Sequence, residues 1–183
     1  MTLTGEQTAM LEVFERHVQA EIDGDLETTM ATMTADPHNI LIANRMGGAG
    51  YEGVRAFYRD HLVGKFFPPD TEVTDISRTI GTDQLVIEQV LRFTHSQSVE
   101  WMLPGVPPTG RKVEIALVVV AKIEGGRIAH EHVYWDQAAV LVQVGLLEPR
   151  DLPVCGTEPV QLLMEPTLPL YRTGPATETQ ASS

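Results

Sequence analysis

The stretch that decides the fold spans residues 125–145 and reads GGRIAHEHVYWDQAAVLVQVG. Its two leading glycines are a strong turn signal, and the extended pattern after them predicts a strand over residues 127–135. Asp136 can then cap a helix over residues 137–144, which the final glycine ends. The order of turn, strand, cap and helix predicts a long strand that passes directly into a short closing helix.

The rest of the chain places helices before the long strands. The pattern predicts an amphipathic helix that begins after the N-cap Thr4 and ends at Gly24. Its apolar face falls at helical spacing on Leu11, Phe14, Val18 and Ile22. Further helices over 26–33 and 51–63 and a short strand over 38–43 precede long strands over 72–80, 84–95 and 112–123. This order predicts an α+β fold, in which a curved antiparallel sheet packed against N-terminal helices encloses a cone-shaped cavity.

Composition and charge limit the classes of partner. The chain has 183 residues and a formal net charge of -12. Its length fits one domain with room for an internal cavity. An acidic surface repels phosphate backbones and anionic lipid, so we expect neither nucleic acid nor a membrane as partner. Cys155 is the only cysteine, which excludes an intrachain disulfide, and residues 1–15 do not resemble a signal peptide. These features favour a cytoplasmic protein.

The quoted stretch resembles the last strand and closing helix of the SnoaL-like polyketide cyclases, which belong to the nuclear transport factor 2-like superfamily. The matching features are the Gly-Gly turn, Ile128, the histidine and aromatic positions of the strand, Asp136, and the ending Gln143-x-Gly145. The segment GVRAFY at residues 53–58 also resembles a helix of that superfamily.

The resemblance implies a cone-shaped domain, which we place at residues 1–147. Residues 148–183 contain scattered prolines and end in TETQASS, so we expect an irregular arm with a disordered tip. The resemblance also implies a homodimer, a small apolar ligand, and no metal or organic cofactor. Because one fold supports many functions, it does not by itself decide the reaction.

Asp136 is the first candidate for a catalytic residue. In the SnoaL-like cyclases an aspartate at the matching position is the general acid/base, so the resemblance implies that role here. A carboxylate at the closed end of an apolar cavity loses solvation, which raises its pKa toward the working range of a proton-transfer group. The alternative is that Asp136 only caps the closing helix.

The strand before Asp136 supplies two further catalytic candidates. In a regular strand, His130, His132 and Tyr134 share one face with Asp136. His132 or Tyr134 could then hydrogen-bond an enolate oxygen or orient Asp136. A β-bulge would shift the register and direct Glu131 into the cavity instead.

Three other residues are candidates for substrate binding: Trp101, Tyr58 and His95. A tryptophan beside a cavity can stack on a planar ligand, although core packing is the alternative for Trp101. The Tyr58 hydroxyl could point into the cavity or bond to the backbone. His130-x-His132 could bind a metal only with further ligands, and the spacing matches no metal motif, so no metal site is predicted.

These residues predict a SnoaL-like enzyme that carries out cofactor-independent acid/base chemistry on an apolar carbonyl or polyketide-like compound. The reaction would be a cyclisation, an isomerisation or a hydrolysis. Two alternatives remain open: a non-catalytic ligand-binding or dimerisation module of the same fold, and a metal-dependent hydrolase or dioxygenase that uses His130 and His132.

Overall fold

The computed structural model describes residues 3–150 and 152–168. Its helices are α1 (Gly5–Asp23), α2 (Leu26–Ala31), α3 (Gly50–Phe57), a π-helical turn (Tyr58–Leu62), α4 (Gln137–Gln143) and α5 (Glu158–Met164). Its strands are β1 (Met33–Leu41), β2 (Met46–Ala49), β3 (Glu72–Ile80), β4 (Gln84–Thr94), β5 (Lys112–Glu124) and β6 (Arg127–Trp135). The predicted order of helices, long strands and a closing helix is confirmed.

All six strands form one sheet in the order β2-β1-β6-β5-β4-β3. Every neighbouring pair is antiparallel except β1 and β6, which are parallel. The sheet is therefore mixed where the sequence predicted an antiparallel one. The N-terminal helices pack against this curved sheet, and the α+β cone with N-terminal helices is confirmed.

The concave face of the sheet carries the core. Along β5, buried and half-buried residues alternate over eleven positions, from Val113 to Ile123, as in a strand with one buried face. The buried set faces α1, α3 and the π-helical turn, and it forms one hydrophobic cluster with their apolar residues. The sheet and helices thus close around a single interior.

The buried face of α1 differs from the predicted one. Ile22 is 52% exposed, whereas the residues that α1 buries are Met10, Phe14, His17, Ala20 and Glu21. The face of α1 that contacts the sheet is therefore rotated away from the predicted face. It includes two titratable side chains, His17 and Glu21. Apolar periodicity alone does not reveal this rotation, because polar residues occupy part of the buried stripe.

The C-terminal arm contains more regular structure than the sequence predicted. Helix α5 packs against β5, with Val160 2% exposed. The predicted disordered tip falls mostly on residues 169–183, which lie outside the described residues. Among the described residues, no helix has the length and apolar character needed to cross a membrane.

Candidate functional site

A cavity of about 510 Å³ lies between the concave face of the sheet and α1. This volume is in the range of small-molecule sites. Most of the wall is apolar, with contributions from Phe14, Val18, Leu41, Leu62, Phe66, Phe67, Ile87, Leu91, Trp101, Leu117, Val119 and Val133. Glu21, Asn39 and Glu131 form a polar patch on this wall, and the other polar residues that line the cavity are Glu15, Gln19, Asp75, Arg78 and Gln89. An apolar chamber with a few convergent polar groups is typical of a binding or active site.

Helix α1 supplies Glu21 of the polar patch and, one turn earlier, the neighbouring His17. His17 and Glu21 are four residues apart, so they lie one above the other on the buried face. His17 is completely buried and the Glu21 side chain is 7% exposed. The Nε2 atom of His17 lies 3.2 Å from Oε1 of Glu21.

A β-bulge in β6 directs Glu131 into the cavity. His130 pairs with Lys122, but Ile128 pairs with Ile123, so Ala129 is an extra residue in the strand. Because of this extra residue, each residue after the bulge faces the opposite side of the sheet from the side it would face in a regular strand. Glu131 therefore points inward, as the bulged alternative in the sequence analysis required, and its side chain is only 6% exposed.

Tyr58 and Asn39 anchor the Glu131 carboxylate. Tyr58 begins the π-helical turn, a form of helix that occurs frequently at functional sites. Its hydroxyl donates to Oε2 of Glu131 at 2.8 Å. The Asn39 amide donates to the same oxygen at 3.1 Å, and Nε2 of His17 lies 3.3 Å from it. Three donors therefore converge on one carboxylate oxygen.

The imidazole of His17 is fixed from its other side. The Thr32 hydroxyl donates to the Thr29 carbonyl at 2.6 Å, so its oxygen accepts from Nδ1–H of His17, also at 2.6 Å. His17 thus carries a proton on Nδ1, while Nε2–H faces Glu21 and Glu131. The ring is held as a bridge between two buried carboxyl groups.

Burial and charge set the pKa values of this group. Burial alone would lower the pKa of His17, but Glu131 and Glu21 raise it to about 10. Burial raises the pKa of Glu21. Burial would also raise the pKa of Glu131, but His17, Tyr58 and Asn39 hold it below its usual range. The arrangement separates an ionised carboxylate, Glu131, from a carboxyl group that retains its proton more readily, Glu21.

The model of the SnoaL-like polyketide cyclase family matches residues 12–144. The chain belongs to this family. The match includes α1 from residue 12 onward, the whole sheet and all of α4, and therefore every residue of the polar patch.

Solved structures of SnoaL-like and related proteins share the fold. A SnoaL-like polyketide cyclase candidate from Jannaschia is 20% identical, with a TM-score of 0.65 over 81% of this chain and 99% of its own. AclR of Streptomyces galilaeus, a candidate hydroxylase, is 18% identical, with a TM-score of 0.57 over 78% and 88%. IdmH of Streptomyces antibioticus, a candidate polyketide cyclase, is 25% identical, with a TM-score of 0.56 over 74% and 98%. No curated protein matches the chain significantly.

Asp136 does not lie where the SnoaL-like resemblance led us to expect it. Its side chain is exposed, and its Oδ1 accepts from the Ala139 amide at 3.1 Å as the N-cap of α4. It is not part of the cavity wall. The physical reason is the bulge at Ala129, which assigns the inward positions to Glu131 and Val133. An acid/base role for Asp136 stays a prediction, and the geometry favours Glu131.

The same change in parity moves His132 and Tyr134 to the convex face of the sheet. Tyr134 is 42% exposed. His132 contacts His38 of β1, with their Nε2 atoms 3.0 Å apart. Neither residue meets Asp136 or the cavity, so the structure does not bring the three predicted catalytic residues together.

The predicted substrate-binding residues have three different surroundings. Trp101 lines the cavity, and its indole N–H donates to the Phe66 carbonyl at 2.7 Å. Tyr58 bonds to side chains of the polar patch instead of to the backbone. His95 is buried outside the cavity wall, where its Nδ1 accepts from the Thr109 amide at 3.3 Å and burial lowers its pKa.

His17, Glu21 and Asn39 are site residues that the sequence pattern did not identify. A usable signal exists for the first two, because they continue the stripe of Met10 and Phe14 at helical spacing.

His17, Glu21 and Glu131 also place possible metal-ligand atoms within 4.8 Å of one another. The pKa of His17 argues for a proton in this space, because a metal ion would have to displace it.

Proposed function

We propose that this protein is an enzyme that performs acid/base chemistry on a small apolar carbonyl compound held in the cavity. Glu131 is the general base and Glu21 is the general acid. The observation that carries the proposal is the asymmetry of the Glu131 carboxylate. Its Oε2 accepts hydrogen bonds from Tyr58 and Asn39 and contacts Nε2 of His17, whereas no hydrogen-bond donor among the described residues contacts Oε1.

This asymmetry suits a proton acceptor. The hydrogen bonds to Oε2 hold the side chain in one position and keep it ionised in an apolar chamber. The second oxygen retains its lone pairs for a proton on carbon. Because the surrounding wall is apolar, a substrate that fills it excludes water, which strengthens every electrostatic interaction inside.

The proton transfers balance without a further reactant. Glu131 removes a proton from carbon next to a carbonyl, and the C–H electron pair forms a carbon–carbon double bond. The carbonyl π pair moves to oxygen, which takes a proton from Glu21. In an isomerisation, Glu131 returns its proton to a different carbon, and the enol O–H proton returns to Glu21 as the carbonyl re-forms. In an aldol cyclisation, the nucleophilic carbon attacks a second carbonyl, whose oxygen receives the proton from Glu131. The enol O–H proton then returns to Glu21 as the first carbonyl re-forms.

His17 serves as a positioning residue between the two carboxyl groups. Its charged imidazole lies 3.2 Å from Glu21 and 3.3 Å from Glu131. It stabilises whichever of the two carboxyl groups is ionised. During the reaction Glu131 gains a proton and Glu21 loses one, so the ionised group changes from Glu131 to Glu21. Ketosteroid isomerase uses a related division of labour, with one ionised and one protonated carboxyl group in an apolar site.

The family supports a cyclase or isomerase. The description of IdmH as a candidate polyketide cyclase supports a polyketide-like substrate. A homodimer stays a prediction from the resemblance, and the absence of nucleic-acid and membrane partners stays a prediction from the acidic net charge.

The experiment is hydrogen exchange at carbon in D₂O, measured by NMR on a panel of polycyclic ketones. Enolisation is common to the proposed reactions, so hydrogen–deuterium exchange next to the carbonyl measures proton removal by the base. This measurement does not require the natural substrate. We expect the wild type to accelerate exchange and Glu131→Gln to lose it. Exchange at the wild-type rate in a folded Glu131→Gln protein contradicts the assignment. Tight binding of a ketone without any exchange favours the non-catalytic binding module.

A further inference from the structure

Three histidines form a cluster on the convex face of the sheet, on the side opposite the cavity. We define the histidine cluster as His38 of β1 with His130 and His132 of β6. His130 and His132 flank Glu131, so they point away from the cavity that Glu131 lines. His38 lies directly opposite His130 in the parallel pairing of the two strands. The proposed acid/base chemistry uses none of the three.

The three rings are close enough to share one ligand. Nε2 of His38 lies 3.0 Å from Nε2 of His132. The centroids of His130 and His132 are 4.4 Å apart, and those of His38 and His130 are 4.8 Å apart. One nitrogen from each ring falls within 4.8 Å of the other two. Zinc binds imidazole nitrogen at about 2.0–2.1 Å, so two tetrahedral ligands lie about 3.3–3.4 Å apart. Small side-chain rotations therefore suffice to bring all three nitrogens to one ion.

We propose that the histidine cluster is a binding site for a divalent transition-metal ion that prefers imidazole ligands, such as Zn²⁺. Three histidines leave a fourth position for water or another donor. Imidazole ligands must be neutral to bind a metal.

The charges around the cluster are compatible with a cation. Lys122 is a positively charged residue that pairs with His130 in the sheet. Its ammonium lies 3.2 Å from a carboxylate oxygen of Glu124 and 3.9 Å from one of Asp83. These two acids offset its repulsion of a metal ion. The formal net charge of -12 favours the approach of cations to the protein as a whole.

The test is isothermal titration of the full chain, without an affinity tag, with Zn²⁺. We expect one ion per chain, and we expect His38→Gln or His132→Gln to weaken binding by about 100-fold or more, since even indirect ligand contacts change affinity about 10–100-fold. His61→Gln is the matched control, because it removes a histidine outside the cluster and should retain wild-type affinity.

Co²⁺ provides a readout that does not depend on the variants. In the wild type it should give the intense visible absorption of a tetrahedral site, and Zn²⁺ should displace it. NMR of histidine rings during the Zn²⁺ titration should shift His38, His130 and His132 together and leave His17 and His95 unchanged. Absence of stoichiometric Zn²⁺ binding to the wild type, or undiminished binding after all three cluster residues are replaced by glutamine, overturns the proposal.

Discussion

The hydroxyl of Tyr58 lies 2.8 Å from Oε2 of Glu131, although the two residues are 73 positions apart in the chain. One begins the π-helical turn after α3 and the other follows the bulge in β6. This contact joins the helical layer to the sheet at the polar end of an apolar cavity. It also fixes the orientation of the carboxylate, which makes the role of Glu131 testable by single substitutions.

The first prediction compares two carboxyl groups. Glu131→Gln keeps nearly the same shape but removes the proton acceptor, so the turnover number should fall by about 10²–10⁴-fold. Asp136→Asn is the matched control. Asparagine caps a helix about as well as aspartate, so activity and stability should change little. Steady-state kinetics and thermal unfolding of both variants decide the matter. If Asp136→Asn loses activity and Glu131→Gln does not, the role implied by the family resemblance belongs to Asp136.

The second prediction concerns Tyr58→Phe. Loss of the hydroxyl removes one of the hydrogen bonds that hold the pKa of Glu131 low. The acid limb of the kcat/KM profile against pH should therefore move to higher pH. The free energy of unfolding should fall by about 1–3 kcal/mol, because buried partners lose a hydrogen bond. Tyr51→Phe, at a partly exposed tyrosine, should change neither quantity. An unshifted pH profile in Tyr58→Phe contradicts the positioning role.

The third prediction is a loss of stability at alkaline pH. The pKa of His17 is raised to about 10 in the folded protein, against about 6.5 in the unfolded chain. Between these values the folded state binds more protons, so the free energy of unfolding decreases as pH rises. His17 stabilises the fold fully below about pH 6.5 and loses this contribution as pH passes 10.

Urea unfolding at several pH values between 6 and 10 measures this dependence. NMR provides the residue-level check, because the His17 ring should remain protonated at pH 8. The rings of His130 and His132, whose pKa values are lowered, should be neutral there. A His17 ring that titrates near neutral pH contradicts the proposed bridge between two carboxyl groups.

The fourth prediction uses tryptophan fluorescence to locate the ligand. Trp101 lines the cavity, whereas Trp135 packs edge-to-face against it at 5.5 Å outside the cavity wall. In a Trp135→Phe protein, the remaining emission comes from Trp101 and should change on binding an apolar ketone. In a Trp101→Phe protein, the change should be much smaller. Equal responses from both variants contradict a ligand position beside Trp101.

The sequence predicted those features that depend on neighbours along the chain. The turn, strand and helix within residues 125–145 follow from glycine signals, strand pattern and the cap at Asp136, and the structure contains all of them. The family resemblance in the same stretch also identified the fold. Local rules suffice here because each residue acts on backbone groups only a few positions away.

Tertiary structure decided which side chains meet. The face of α1 that carries His17 and Glu21 is buried because its side chains find partners at the end of α2, in β6 and in the π-helical turn, and no local pattern reveals such partners. The bulge at Ala129 selects Glu131 over His132 as the inward residue, because one extra residue reverses every side-chain direction after it. The sequence determined the strand, and only its pairing with β5 determined which carboxyl group enters the cavity.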